Sequence, residues 1–103
     1  MREHKWILDE DGMPVPEPDA VKWALWMDVR NRVVKQEYVN GYFVSTVFLA
    51  LDNSFGYGPP ILWETMVFTH PDREAQWSGR CSTREQALEL HERGCAFARE
   101  LKP

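Results

Sequence analysis

The sequence predicts an α+β fold: a three-stranded antiparallel sheet, with a C-terminal helix and a short N-terminal helix packed on it. Three observations carry this. Two β-rich runs flank Asn40-Gly41, the preferred central pair of a tight hairpin turn. A third run, "ILWETMVFT", alternates with the period of a strand. After Ser82-Thr83-Arg84-Glu85, which fits a capping box, apolar residues recur at helical spacing. Three strands with flanking helices are best buried as a sheet with helices against it.

The chain has 103 residues, enough for one domain. Residues 1–18 read as an acidic, Pro-rich arm and residues 19–103 as a single α+β domain. In the arm, "PVPEPD" fixes φ at every second position and biases each preceding residue towards an extended backbone. It reads as a stiff connector. Asp19 then caps a helix with Ala20, Trp23, Ala24 and Met27 on one stripe. A strand reading of the same residues leaves Ala24 and Trp26 on its polar face, so the helix is preferred.

The first hairpin arm carries Lys35, Gln36 and Glu37 and reads as more exposed. The second, Tyr42 to Leu51, is apolar on both faces apart from Ser45 and Thr46, and reads as a central strand covered on both sides. In the third strand Ile61, Trp63, Thr65, Val67 and Thr69 point one way, and Leu62, Glu64, Met66 and Phe68 the other. The connection "DNSFGYGPP" is long for a hairpin, and long ordered loops are often functional. In the last helix Leu88, His91, Cys95, Ala98 and Leu101 make the apolar stripe. Gly94, in mid-helix, implies that the backbone there lies close against the sheet.

Charge and cysteine content narrow the function classes. The net charge is -4. Six acids against Arg2 and Lys5 in residues 1–20 account for all of it. From Gln36 to Asp72 there is no Lys or Arg, so direct nucleic-acid binding through the sheet is not expected. No apolar run is long enough to span a membrane, and the N-terminus has no signal-peptide pattern. Cys81 and Cys95 do not make a disulfide framework. The expected compartment is a reducing cytoplasm, with both thiols free.

Chemistry-bearing residues are few. His91 and Cys95 lie at i, i+4, with Cys81 before the helix and His70 as a further donor, but the pair sits on the apolar stripe and the spacing is not a paired C-x-x-C. They read as core residues; no metal and no cofactor is expected. No nucleophile motif is present, and no catalytic residue is assigned. Asp52 and Glu64 stand at the two ends of the long loop, where a wide hairpin would bring them together. A carboxyl in an apolar strand would have the raised pKa of an acid catalyst. The preferred reading makes Glu64 an anchor, bonded to a backbone amide, a tryptophan N–H or an arginine such as Arg80. Gly56-Tyr57-Gly58 lacks the spacing and following helix of a phosphate cradle. With Phe55 and Tyr57 it reads instead as a contact patch.

"VSTVFLALDNSFGYGPPILWETMVF", residues 44–68, resembles a segment of small proteins encoded by tailed bacteriophages and prophages. The shared features are the Val-Ser-Thr-Val-Phe-Leu run, Leu-Asp, Phe-Gly, Gly-Pro-Pro and the Glu-Thr-Met strand. The likeness covers about a quarter of the chain and extends to the Trp-rich segment around Trp23 and Trp26 and to Trp77 with its helix. It implies a phage or prophage accessory protein acting in a bacterial cytoplasm, and it transfers no catalytic residue. The leading reading is a non-enzymatic protein that binds a host protein, such as an anti-phage defence factor, through Asp52, Phe55, Gly56, Tyr57, Gly58, Trp63 and Glu64. A second reading makes Asp52, Glu64 and Trp63 line a pocket that holds or hydrolyses a small molecule such as a nucleotide. A third is a structural phage component. A homodimer is compatible with each.

Overall fold

The computed structural model describes residues 2–102. In chain order the elements are β1 (Trp6–Leu8), β2 (Pro14–Pro16), α1 (Ala20–Val29), β3 (Val33–Val39), β4 (Tyr42–Phe48), β5 (Trp63–Phe68), β6 (Ala75–Cys81) and α2 (Arg84–Glu100). The α+β class is as predicted, but the main sheet has four strands, in the order β3-β4-β5-β6, and β1 pairs with β2 in a second sheet. The strand missing from the prediction is β6, "AQWSGRC". Gln, Ser, Gly and Arg give it little intrinsic strand preference. It is a strand because β5 offers a ladder, running from Trp63↔Cys81 to Phe68↔Ala75.

The β3–β4 turn forms as its sequence requires, with Asn40 at φ 52° and Gly41 at φ 83°. The Asn40 side-chain amide also donates to Ala98 O at 3.0 Å, which ties the turn to the end of α2. α2 does start with a capping box, but one residue later than the Ser82–Glu85 reading: Thr83 is the N-cap and Gln86 its N3 partner. Asp19 Oδ1 caps α1 by accepting from the Val21 and Lys22 amides.

Strand parity sorts the sheet into two faces. Val44, Thr46 and Phe48 of β4 and Trp63, Thr65 and Val67 of β5 are buried beneath the helices. The helix α2 meets them with Ala87, His91, Gly94, Cys95 and Ala98. A Cβ at Gly94 would lie 3.1 Å from Thr65 Cγ2 and 3.3 Å from both Val44 and Trp77. The helix therefore rides low on the sheet, as the mid-helix glycine implied.

The helix α1 lays Trp26 edge-on against Phe48 (5.8 Å between centroids), and Trp23 Nε1 donates to Ala50 O at 3.0 Å. Its outward residues Val21, Leu25 and Val29 are exposed. The Pro-rich stretch is extended, as read, but it is paired rather than free. Val15 stands opposite Ile7, and Trp6 N donates to Ala50 O at 3.0 Å, so the hairpin lies against the domain.

The opposite sheet face carries Phe43, Ser45, Val47, Glu64, Met66 and Phe68. Among the described residues no helix covers it. The expectation that β4 is covered on both sides is corrected accordingly. Phe43 and Ser45 are buried there by neighbouring side chains alone. Arg73 stacks over the Phe43 ring at 4.1 Å, Tyr38 lies 5.1 Å from it, and Gln36 Nε2 donates to Ser45 Oγ at 2.9 Å.

Candidate functional site

The long connection between β4 and β5 is shorter in effect than in sequence. Leu49 N donates to Leu62 O at 2.6 Å and Asn53 N to Ile61 O at 3.0 Å, so the two arms stay paired almost to the tip. What remains is a compact loop, Ser54–Pro60. Its backbone uses the left-handed region at Phe55 (φ 58°), Gly56 (84°) and Gly58 (67°). Glycine adopts that region freely. A phenylalanine there is strained.

Asp52 closes the base of this loop. Its Oδ1 accepts from the amides of Ser54 (2.8 Å) and Ile61 (3.0 Å), and Arg2 Nε donates to Oδ2 at 3.1 Å. Arg2 also donates to Ser54 Oγ and to the Gly58 carbonyl. One guanidinium thus spans the loop from base to tip. The Asp52 side chain is only 2% exposed. Burial alone would raise its pKa, but hydrogen bonds from the Ser54 hydroxyl, the Ser54 and Ile61 amides and Arg2 outweigh it. They lower the pKa from 3.8 to about 2. Asp52 is a structural anion, with its lone pairs already used.

Glu64 has a different partner. Its Oε2 accepts from Arg80 Nε at 2.8 Å on the open sheet face, as the anchor reading anticipated. Asp52 and Glu64 share no hydrogen-bond partner, so no carboxylate pair is assembled for acid–base work. Trp63 is 1% exposed and packs against Phe48 at 5.2 Å, on the helix-covered face, so its ring serves the core.

The loop tip presents the remaining predicted residues. Phe55 is 85% exposed and Tyr57 83%. They flank Gly56, and Gly58 follows. Two large aromatic side chains left in water on a braced loop are unusual, because each could bury a large apolar area. Neither a protein-family model, nor a curated protein, nor a solved structure matches this chain.

Two features lay beyond sequence reasoning. Arg2 sits fifty residues from its partner Asp52, with no local motif to announce it. The second is a buried polar chain under α2. His91 Nδ1 lies 2.7 Å from Thr46 Oγ1, which is bonded in turn to Thr65 Oγ1, and His91 Nε2 lies 3.0 Å from Glu37 Oε2. His91 is fully buried and has a hydrogen-bond partner at both nitrogens. Its bond to Glu37 is the largest influence on that carboxyl and lowers its pKa. The signal for Glu37 was parity: on β3 it shares a face with Lys35, and that face turns towards α2.

Proposed function

We propose that this chain is a non-enzymatic binding protein whose contact surface is the Ser54–Pro60 loop, with Phe55 and Tyr57 as anchors. The observation that carries the reading is the pairing of near-complete exposure at these two rings with a backbone held by Asp52 and Arg2. A braced loop loses little conformational freedom on binding, and aromatic anchors supply most of the energy of a protein interface. The left-handed backbone at Phe55 fits the same reading, since strain of this kind gathers at functional sites. The likeness of residues 44–68 to phage and prophage proteins supplies the context: an accessory protein that binds a host protein, with anti-phage defence factors the leading class of target.

A pocket enzyme draws no comparable support. Both carboxylates it would use are engaged, Asp52 by Arg2 and two amides and Glu64 by Arg80.

The test is affinity capture from bacterial lysate with wild type and with a Phe55→Ala/Tyr57→Ala variant. Circular dichroism and a melting curve establish equal folding of the two baits. A protein retained by wild type and lost by the variant is the expected result. Identical capture profiles from the two baits would remove the loop from the interface.

A further inference from the structure

Away from the loop, the fold gathers a second set of side chains that no sequence spacing joins. Glu37 reaches from the edge strand β3 onto the face that α2 covers. His91 and Cys95 stand one turn apart on α2. A carboxylate oxygen, an imidazole nitrogen and a thiol sulfur, one from each, all lie within 4.8 Å of one another. We propose that Glu37, His91 and Cys95 form a zinc-class metal site, with the fourth position left to water on the solvent side of Glu37.

Donor chemistry is the first argument. Carboxylate oxygen, imidazole nitrogen and thiolate sulfur are the three ligand types zinc uses, and sites with three protein ligands and one water are common. Bonds of about 2.0–2.3 Å to a tetrahedral centre put neighbouring donors roughly 3.3–3.8 Å apart. The widest donor separation, at most 4.8 Å, must close by about 1 Å to reach that spacing.

The surroundings fit as well. His91 Nε2 faces Glu37 at 3.0 Å, while Nδ1 is held by Thr46 at 2.7 Å. A ligating histidine is characteristically oriented in this way through its other nitrogen. With Nε2 on the metal, the ring proton resides on Nδ1 and donates to Thr46 Oγ1. The Thr46 hydroxyl then turns its own proton to Thr65 Oγ1, a bond in which either oxygen serves as donor. The Cys95 thiol gives up its proton to solvent on binding. A dication, a carboxylate, a thiolate and a neutral imidazole sum to zero charge, which limits the cost of burial.

Access is from the Glu37 side. The Glu37 side chain is partly exposed, while the histidine is fully enclosed. At that mouth the Lys35 ammonium lies 3.5 Å from Glu37 Oε2 and 3.5 Å from Glu92 Oε1, so a metal would displace it from Glu37 while Glu92 retains it.

Titration of the full chain with cobalt(II), followed by displacement with zinc, tests the site. The expected result is a thiolate-to-cobalt charge-transfer band that Cys81→Ser leaves intact and Cys95→Ala abolishes. Glu37→Gln keeps a hydrogen-bond acceptor for His91 at a partly exposed position, so it preserves the fold. In chelator competition it should weaken zinc binding by tenfold or more. Absence of a thiolate band in the folded wild type overturns the proposal. So does a band that survives Cys95→Ala, or zinc affinity unchanged by Glu37→Gln.

Discussion

The helix-covered face of the sheet and the Ser54–Pro60 loop are both firmly held, by opposite means. Under α2, order comes from burial: Trp63, Phe48, Val44 and Val67 are essentially inaccessible, and the polar groups among them are bonded to one another. In the loop, order comes from a carboxylate. Asp52 and Arg2 fix the backbone, and the large side chains Phe55 and Tyr57 are left in water. Apolar residues in the first region are packed into the core; in the second they are left in water, the separation that the proposed binding role calls for.

The comparison breaks most sharply at Trp63. Trp63→Ala removes the largest fully buried side chain and should cost about 3–5 kcal/mol in urea unfolding, enough to unfold a marginal domain. Gly94→Val tests the same face from the helix side. Its Cβ would meet Thr65, Val44 and Trp77 at 3.1–3.3 Å, and the added methyls demand more room still. Overpacking should cost about 1–3 kcal/mol, read as a lower urea midpoint.

The parts of this contrast that were legible in the sequence are the local ones. The Asn40-Gly41 turn, the Asp19 cap, the alternation of β5 from Trp63 onwards and the His91, Cys95 and Ala98 part of the α2 stripe each follow from a few adjacent residues. Two assignments fail: Leu88, read on that stripe, is exposed, and Leu62, read on the Glu64 face, is buried in the core with Phe48 and Trp63, because it precedes the regular strand. The parts that were not legible depend on distant neighbours. β6 is a strand through its ladder with β5, despite a composition of Gln, Ser, Gly and Arg. The "PVP" segment pairs because β1 is there to receive it. Parity placed Trp63 and Glu64 on opposite faces of β5 but did not say which face the helices would cover. The exposure of Phe55 and Tyr57 and the brace from Arg2 likewise required the fold.

The loop's own anchor gives an intermediate effect with a pH signature. Asp52→Asn weakens the hold on Arg2 and on two amides, and should cost about 1–3 kcal/mol near neutrality. Because the Asp52 pKa is lowered from 3.8 to about 2 on folding, the ionised group favours the folded state above pH 3.8. That contribution is lost as pH falls from 3.8 through about 2. Urea midpoints measured from pH 6 to pH 2 should therefore converge for wild type and Asp52→Asn at the acid end. A constant gap would show that the charge of Asp52 is not what braces the loop.

The smallest stability effect is the most informative for function. Phe55 is exposed and adopts a left-handed backbone that asparagine tolerates better than an aromatic residue. Phe55→Asn should therefore leave stability unchanged or raise it by up to about 1 kcal/mol. The same substitution should weaken partner capture at least tenfold, since it removes one of two aromatic anchors. A variant that folds as well as wild type or better, yet no longer binds, would show that Phe55 is kept for contact and against the interest of the fold. A clear loss of stability would instead mean that the ring supports the loop from within, and the contrast between a region ordered by burial and one ordered by hydrogen bonds would fail at its most exposed residue.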